Sequence, residues 1–480
     1  MSEVDILRPA GYNERRCICR DVLGLYGYIV TCATYTGPAS PSKARIYGVL
    51  KECIKRHPVL STVIRDSATE KPQLGRAIRM NLEKHLNFID LPDQPTDASQ
   101  RLKECLERIH NEPLAEYEQV PQWRVWIVSS NTSRSKQARN EFQVAFACSH
   151  ALLDGGSGYA FHRTFLQALC NANALEADED STFTVPANTD VLPALDRAAV
   201  LPISWSFLLA PLLGEYLPSF LASALGVKDA AGKDAWRGAL KRPDLPAPKK
   251  LLSTAVHVLS VPGTTVQRVL KTCREHKARI TGLLNYVVAH ALAQTLAKHG
   301  EHHNTFVVQT AMDLKKLIPG ADGQMANYVS AMEERLSVPS TTDNAELDWE
   351  AVRKSTDLLA QKSSTLADQP IALLKYLSNI RAWVLKKAQQ PAEAAFEMSN
   401  LGVFDGGAPM TSVWTVTDMV FSQSADATSG APVNVNVASV KDGALNITVT
   451  WWPGMLGVDD EQGFVAEVCA SIEDQLERIE

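Results

Sequence analysis

The sequence predicts an α/β protein made of two similar halves with a channel between them. Segments rich in β-favouring residues and segments with helical spacing of apolar residues follow a shared order in the first and last parts of the chain. Between them, residues 186–250 change composition, first strongly apolar and then rich in proline and lysine. The expected organisation is a first half over 1–185, a crossover over 186–250 and a second half over 251–480. With 480 residues, 45% apolar and 21% charged, the chain has the composition of a soluble globular protein and length enough for two large units.

In the first half, Ser42 to His57 reads as a helix, with Ile46, Val49, Leu50 and Cys53 or Ile54 on one apolar stripe. His57-Pro58 then turns the chain into a strand near Val63-Ile64. Gln122 to Val128 is a further strand, and the polar run Asn131 to Lys136 a hairpin leading into the next one. That next strand, Phe142 to Cys148, mixes apolar and β-favouring residues over strand length and is expected to be partly or fully buried. Gly155, Gly156 and Gly158 follow, suited to a tight or left-handed backbone, and Tyr159 to Leu169 returns to helical spacing.

The crossover carries an apolar stretch, Val200 to Val227, that includes Trp205, Phe207, Leu212, Leu217 and Phe220. Pro202, Pro211 and Pro218 interrupt it and Glu215 sits in its middle, which argues for broken helical turns rather than a spanning helix. A buried crossover or channel wall is the first reading and an interfacial membrane contact the second. Lys241 to Lys250 is proline-rich and basic and reads as an exposed connection.

The second half opens with a strand near Ser253 to Ser260 and a helix over Thr264 to His276. A longer helix, Thr281 to Lys298, has Leu283, Leu284, Val287, Val288, Ala291 and Leu292 at helical spacing, with Thr281 expected as its N-cap. A strand over Thr305 to Thr310 leads to the loop Asp313 to Gly320. Val433 to Val440 and Leu445 to Trp452 form a hairpin through Asp442-Gly443, and Asp459 to Ile479 is an amphipathic closing helix.

Chemistry concentrates in His150-Ala151-Leu152-Leu153-Asp154-Gly155, an H-x-x-x-D-G string placed just after the Phe142 to Cys148 strand. Imidazole, with an unperturbed pKa of about 6.5, can accept and return a proton near neutrality, as acyl transfer to a hydroxyl requires. The string has three fixed positions in six and alone also fits an ordinary loop histidine. Asp154 is read as a structural anchor that holds the loop through a salt bridge to an arginine.

A formal charge of −6 and the lack of arginine tracts interleaved with aromatics disfavour nucleic-acid binding. No His/Cys spacing resembles a zinc site, so no metal is expected. Nine scattered cysteines favour a reducing compartment, and the charged start of the chain has no secretory signal. The expected location is the cytosol, with peripheral contact to an internal membrane as the variant reading, and the expected state a monomer.

Five strings in order resemble a known family. They are Arg56-His57-Pro58-Val59-Leu60, Pro121-Gln122-Trp123-Arg124-Val125, the His150 string, Asp313-Leu314-Lys315-Lys316 with Met325-Ala326-Asn327-Tyr328-Val329, and Ser399-Asn400-Leu401-Gly402. Together they resemble a fungal-type alcohol acetyltransferase. That family lies within the CoA-dependent acyltransferases that include chloramphenicol acetyltransferase, the plant BAHD enzymes and peptide-synthetase condensation domains. In the Asp313 string lysines stand where an arginine is commoner, and the plant-type D-F-G-W-G string is absent.

The resemblance implies two chloramphenicol-acetyltransferase-like halves with mixed sheets and an active-site tunnel at their interface. Acetyl-CoA, or another acyl-CoA, would be a co-substrate rather than a tightly bound cofactor, with a small-molecule alcohol as acceptor. His150 would be the general base, and Asn400, then Ser399, then Ser422 the donors to the oxyanion. Gly155 and Gly156 would let the backbone approach the thiol arm of CoA, and Lys249, Lys250, Lys315 and Lys316 would contact its phosphates. An acceptor from secondary metabolism fits the apolar crossover. Amide formation or use of a carrier-protein thioester is the alternative enzyme reading, and a silent binding module of the same fold the non-enzyme one.

Overall fold

The computed structural model describes every residue except 1–3, 39, 91–97, 115, 130–139, 172–179, 188–189, 210–234, 240–241, 246–249, 340–346, 407–412 and 429. The chain begins β1 (Val4–Pro9), α1 (Tyr12–Val22), β2 (Tyr28–Gly37), α2 (Lys43–Arg56), β3 (Thr62–Arg65), β4 (Gln73–Ala77) and β5 (Arg79–Asn81). Then come β6 (Leu86–Asp90), α3 (Ala98–His110), β7 (Trp123–Ser129), β8 (Asn140–Ser149), α4 (Gly155–Asn171), β9 (Thr182–Thr184) and the short α5 (Leu195–Ala198). After the crossover follow β10 (Ala255–Val261), α6 (Gly263–Glu275), α7 (Ile280–Lys298), β11 (Thr305–Asp313), β12 (Val329–Ser337) and α8 (Trp349–Ser363). The chain closes with α9 (Ile380–Gln389), β13 (Phe396–Phe404), β14 (Thr415–Gln423), β15 (Val433–Val440), β16 (Leu445–Trp451) and α10 (Glu461–Glu477).

Two mixed sheets form the two lobes. The first has the order β14-β2-β8-β7-β6, antiparallel except for the parallel β6–β7 pair. The second has the order β10-β16-β15-β13-β11-β12, parallel where β13 meets β11 and β15. Because β14 comes from residues 415–423 yet pairs with β2, a strand of late sequence completes the early sheet.

Strand alternation decides what faces the lobe interface. On β13, Phe396 and Met398 enter the core of the second lobe beside Val433, Val435 and Val437 of β15. The intervening Asn434 and Asn436 of β15 and Thr448 of β16 point the other way, toward β14, where Thr448 Oγ1 donates to Phe421 O at 2.7 Å. Hydrogen bonds join the lobes along this face, and apolar contacts join them elsewhere: Val256 of β10 packs with Tyr28, Val30 and Ile109, and Phe404 of β13 and Ala438 of β15 join the core of the first lobe.

α7 is buried on nearly every face, packing against α8 and α10 over the second sheet. It is long and apolar enough to cross a membrane by length and composition, but its apolar surface is spent on this core. Thr281 does not cap it. The helix starts after Arg279, and Thr281 lies in the first turn, where its Oγ1 accepts from Asn400 Nδ2 at 3.1 Å.

The crossover is only partly exposed. Trp236 is buried against the second core and Arg242 bonds Ala427 O, whereas Val200 and Trp205 are exposed. Most of the apolar stretch 200–227, the polar hairpin at 131–136, and Lys241 and Lys249 lie outside the described residues.

Candidate active site

β8 ends at Ser149, and His150 occupies the turn that follows, before α4 begins at Gly155. Its Nδ1 lies 2.7 Å from Leu153 O. A carbonyl oxygen can only accept, so the proton sits on Nδ1 and Nε2 is left as the basic nitrogen. Burial, aided by the guanidiniums of Arg20 and Arg16, lowers the imidazole pKa to about 4, keeping the ring neutral near pH 7. The ring lies beside Tyr26, centroid to centroid 6.0 Å.

Asp154 does not share a helical face with His150. It stands at the N-terminus of α4, where Oδ1 accepts from Ser157 N and from Ser157 Oγ, each at 2.9 Å. Its basic partner is Lys315, at 2.6 Å, rather than the arginine expected; the two side chains are 2% and 3% exposed. Asp313 Oδ2 lies 3.6 Å from the same ammonium. Lys315 is therefore locked in an interior ion pair and is not placed to meet CoA phosphate. The lysines that stand where an arginine is commoner were the signal for this partner.

The glycines do other work than expected. Gly155, Gly156 and Gly158 lie in the first turn of α4, and none has a positive φ. A Cβ at Gly155 would meet Leu401 Cδ2 at 2.4 Å, one at Gly158 would meet Thr31 Cγ2 at 2.4 Å, and one at Gly156 would meet Lys315 Nζ at 3.0 Å. They let α4 approach β2, β13 and the Lys315 ammonium, so the space at Gly155 and Gly156 is taken by protein side chains rather than by CoA's thiol arm.

The remaining expected residues are spread apart. Asn400 donates to Thr281 Oγ1 and accepts from Gly402 N at 2.8 Å, bonds that hold the turn of β13 where Gly402 has φ +74°. Ser399 is buried on the opposite face of β13 from Phe396 and Met398, alongside Glu397 and Leu401. Glu397 meets Gln423 of β14 and Leu401 meets Gly155, so this face looks toward the first lobe. Ser422 is fully buried and its hydroxyl bonds His110 Nε2 at 2.7 Å, which removes it from the site. Lys316 and Lys250 are exposed, and Lys249 lies outside the described residues.

α1 supplies the residues that motif reading missed. Arg16 Nε and Nη2 donate to Asn13 Oδ1 at 3.1 and 2.9 Å. Asn13 Nδ2 donates to Asn327 Oδ1 at 3.2 Å, and Asn327 Nδ2 donates to His150 O. One turn on, Arg20 pairs with Asp426 and stacks over the Tyr26 ring at 4.6 Å, while Asp21 accepts from Ser149 Oγ and, at 2.8 Å, from Tyr117 OH. Helix spacing of four between Asn13, Cys17 and Asp21 puts one edge of α1 against the His150 turn. A cavity of about 280 Å³ opens beside Asn13, walled by Leu195, Ala199, Leu201 and Ile371.

A half-buried imidazole held neutral near pH 7, whose Nε2 makes no hydrogen bond among the described residues, at the meeting of two α/β lobes, suits base-assisted attack by a hydroxyl. The solved trichothecene 15-O-acetyltransferase TRI3 from Fusarium sporotrichioides superposes with TM-score 0.65 at 12% identity, covering 98% of this chain and 95% of its own. The condensation domain of the monacolin K polyketide synthase MokA superposes with TM-score 0.58 at 11% identity, covering 99% of each chain. At these identities the likeness speaks to the two-lobed fold. In sequence, the probable alcohol acetyltransferase crmB of Aspergillus fumigatus is 25% identical over 88% of both chains. The probable alcohol acetyltransferase FCK4 of Fusarium pseudograminearum is 23% identical over 96% of this chain and 93% of its own. The alcohol acetyltransferase family model matches residues 96–476, which takes in the His150 turn, the Lys315 loop and β13, and the chain therefore belongs to that family of acyltransferases.

Proposed function

We propose that the protein esterifies an alcohol with the acyl group of a CoA thioester, acetyl by preference, using His150 as general base. The observation that carries this reading is the Nδ1 contact to Leu153 O in a ring kept neutral by burial, which leaves Nε2 poised to accept. The acceptor hydroxyl gives its proton to Nε2 as its oxygen attacks the thioester carbonyl. A tetrahedral oxyanion forms, the carbon–sulfur bond breaks, and the proton passes from Nε2 to the departing thiolate. The products are an ester and free CoA thiol.

The oxyanion needs a donor aimed at it in a dry site. The face of β13 supports Ser399 over Asn400, because the Ser399 hydroxyl makes no described hydrogen bond while the Asn400 amide is engaged with Thr281 and Gly402. Asp154 and Lys315 act from behind, fixing the start of α4 and with it the carbonyl of Leu153 that orients His150.

Transfer is read by following CoA thiol and acyl ester together, with acetyl-CoA against a panel of primary and secondary alcohols. Equimolar thiol and ester is the expected result. Thiol without ester, or acylation only from a carrier-protein thioester, would replace this reading with hydrolysis or with condensation-type chemistry.

A further inference from the structure

The segment that leads into β12 clasps the His150 turn through three successive residues. Ala326 O accepts from Ser157 Oγ at 3.3 Å, Asn327 Nδ2 donates to His150 O, and Tyr328 N donates to Asp154 Oδ2 at 3.4 Å. The middle contact falls on the peptide carbonyl of the general base itself. Asn327 is buried, as is its partner Asn13 of α1, whose Nδ2 donates to Asn327 Oδ1 at 3.2 Å. The proposed reaction uses neither amide.

The direction of this relay is set at both ends. A guanidinium can only donate, and Arg16 Nε and Nη2 both go to Asn13 Oδ1, so Asn13 must turn its Nδ2 toward Asn327. A peptide carbonyl can only accept, so Asn327 must turn its Nδ2 toward His150 O and its Oδ1 toward Asn13. The two requirements agree, and flipping either amide would set like groups against each other. Asn327 Nδ2 also faces Cys17 Sγ at 3.7 Å, which occupies its second hydrogen. With its carbonyl held by Asn327 and its Nδ1 by Leu153 O, His150 is fixed in both backbone and ring, and Nε2 is aimed.

We infer that Asn327, itself oriented by Asn13 and Arg16, is a positioning residue for the reaction, gripping the His150 carbonyl so that the ring keeps one tautomer and Nε2 one direction. This rests on His150 acting as general base and adds the residues that aim it. The relay joins α1 and the segment before β12 to the turn after β8, so both halves of the chain set the base. A base displaced by about 1 Å can lose on the order of 10² in rate without any loss of substrate affinity.

The test uses Asn327→Leu, which keeps the shape and removes the donor, and Asn13→Asp, which acts from a distance. Asp at 13 still accepts from Arg16, so the fold keeps that contact; but it offers Asn327 only oxygens, which turns Asn327 Nδ2 away from His150 O. With acetyl-CoA and an accepted alcohol, each variant is expected to lower kcat for CoA thiol release by about 10- to 100-fold, with both KM values within about threefold of wild type. The double variant is expected to lose no more than Asn327→Leu alone, because both changes break the same bond. Nitrogen-15 histidine spectra, with the His150 signal identified by its loss in His150→Ala, should show the Nδ1-protonated tautomer in wild type and a mixture of tautomers in both variants. A kcat within about twofold of wild type in folded Asn327→Leu would overturn the inference, as would an unchanged His150 tautomer or losses that multiply in the double variant. The spectra decide even if no alcohol is turned over, so a failure of the proposed reaction remains distinguishable from a failure of this one.

Discussion

Replacing Lys315 with methionine tests how the His150 turn is held. The ammonium lies 2.6 Å from Asp154 Oδ1 with both side chains almost fully buried. At that separation the attraction is about 6 kcal/mol for an effective dielectric constant of about 20, offset by several kcal/mol of desolvation. Removing only the lysine leaves the carboxylate buried, a change that typically costs about 3–5 kcal/mol. Against a total stability on the order of 5–15 kcal/mol, that loss is large. The double variant Asp154→Asn with Lys315→Met removes both charges, while the amide oxygen introduced by Asp154→Asn can still accept from Ser157 N, so it should recover much of the loss. Lys315→Arg keeps the charge and should stay near wild type. Urea unfolding followed by fluorescence and circular dichroism reads these differences. A loss below about 1 kcal/mol in Lys315→Met, against the expected range, or a double variant less stable than the single one, would refute the reasoning.

Three further outcomes follow from the site. His150 acts as a base when neutral, so kcat/KM should stay level as pH falls through 6.5 and decline only toward about 4, where burial has placed its pKa; an acid limb centred at 6.5 or above would contradict this. Ser399→Ala should lower kcat by about 10²–10³, the usual effect of losing one oxyanion donor, with unchanged melting, whereas Asn400→Ala should mainly lower melting; the reverse pattern would return the donor role to Asn400. Asp21 is raised to about 7 by burial, and one of its oxygens has no described partner. Its folded pKa lies above the unfolded value, so wild-type stability falls as pH rises from about 4 through 7. Asp21→Asn should therefore raise the urea midpoint at pH 8 and change it less at pH 5, and a lower midpoint at pH 8 would contradict the assignment.

The two-lobed fold was legible because its core elements are strongly patterned. Helices α2 and α4, strands β7, β8 and β10, and the β15–β16 hairpin carry apolar residues at the spacing of their own period, and α7 is apolar on nearly every face. The His150 turn was legible for the same reason, since β8 is almost wholly buried and ends just before it. α1 was not, because its buried residues include Asn13, Glu14, Arg20 and Asp21, which read as a solvated face. Their partners Asn327 and Asp426 lie hundreds of residues away, and only folding brings them together. The same separation hid β14, whose pairing with β2 no local pattern announces. The glycines after Asp154 were read for backbone freedom when their use is the absence of a side chain against Leu401, Lys315 and Thr31.

The most direct test of the account is CoA thiol release by His150→Ala in the presence of an accepted alcohol. General-base catalysis is worth about 10²–10⁴ in rate, so turnover should fall by at least 10² while melting stays within a few degrees of wild type. Near-normal turnover in a folded His150→Ala protein would contradict the central claim.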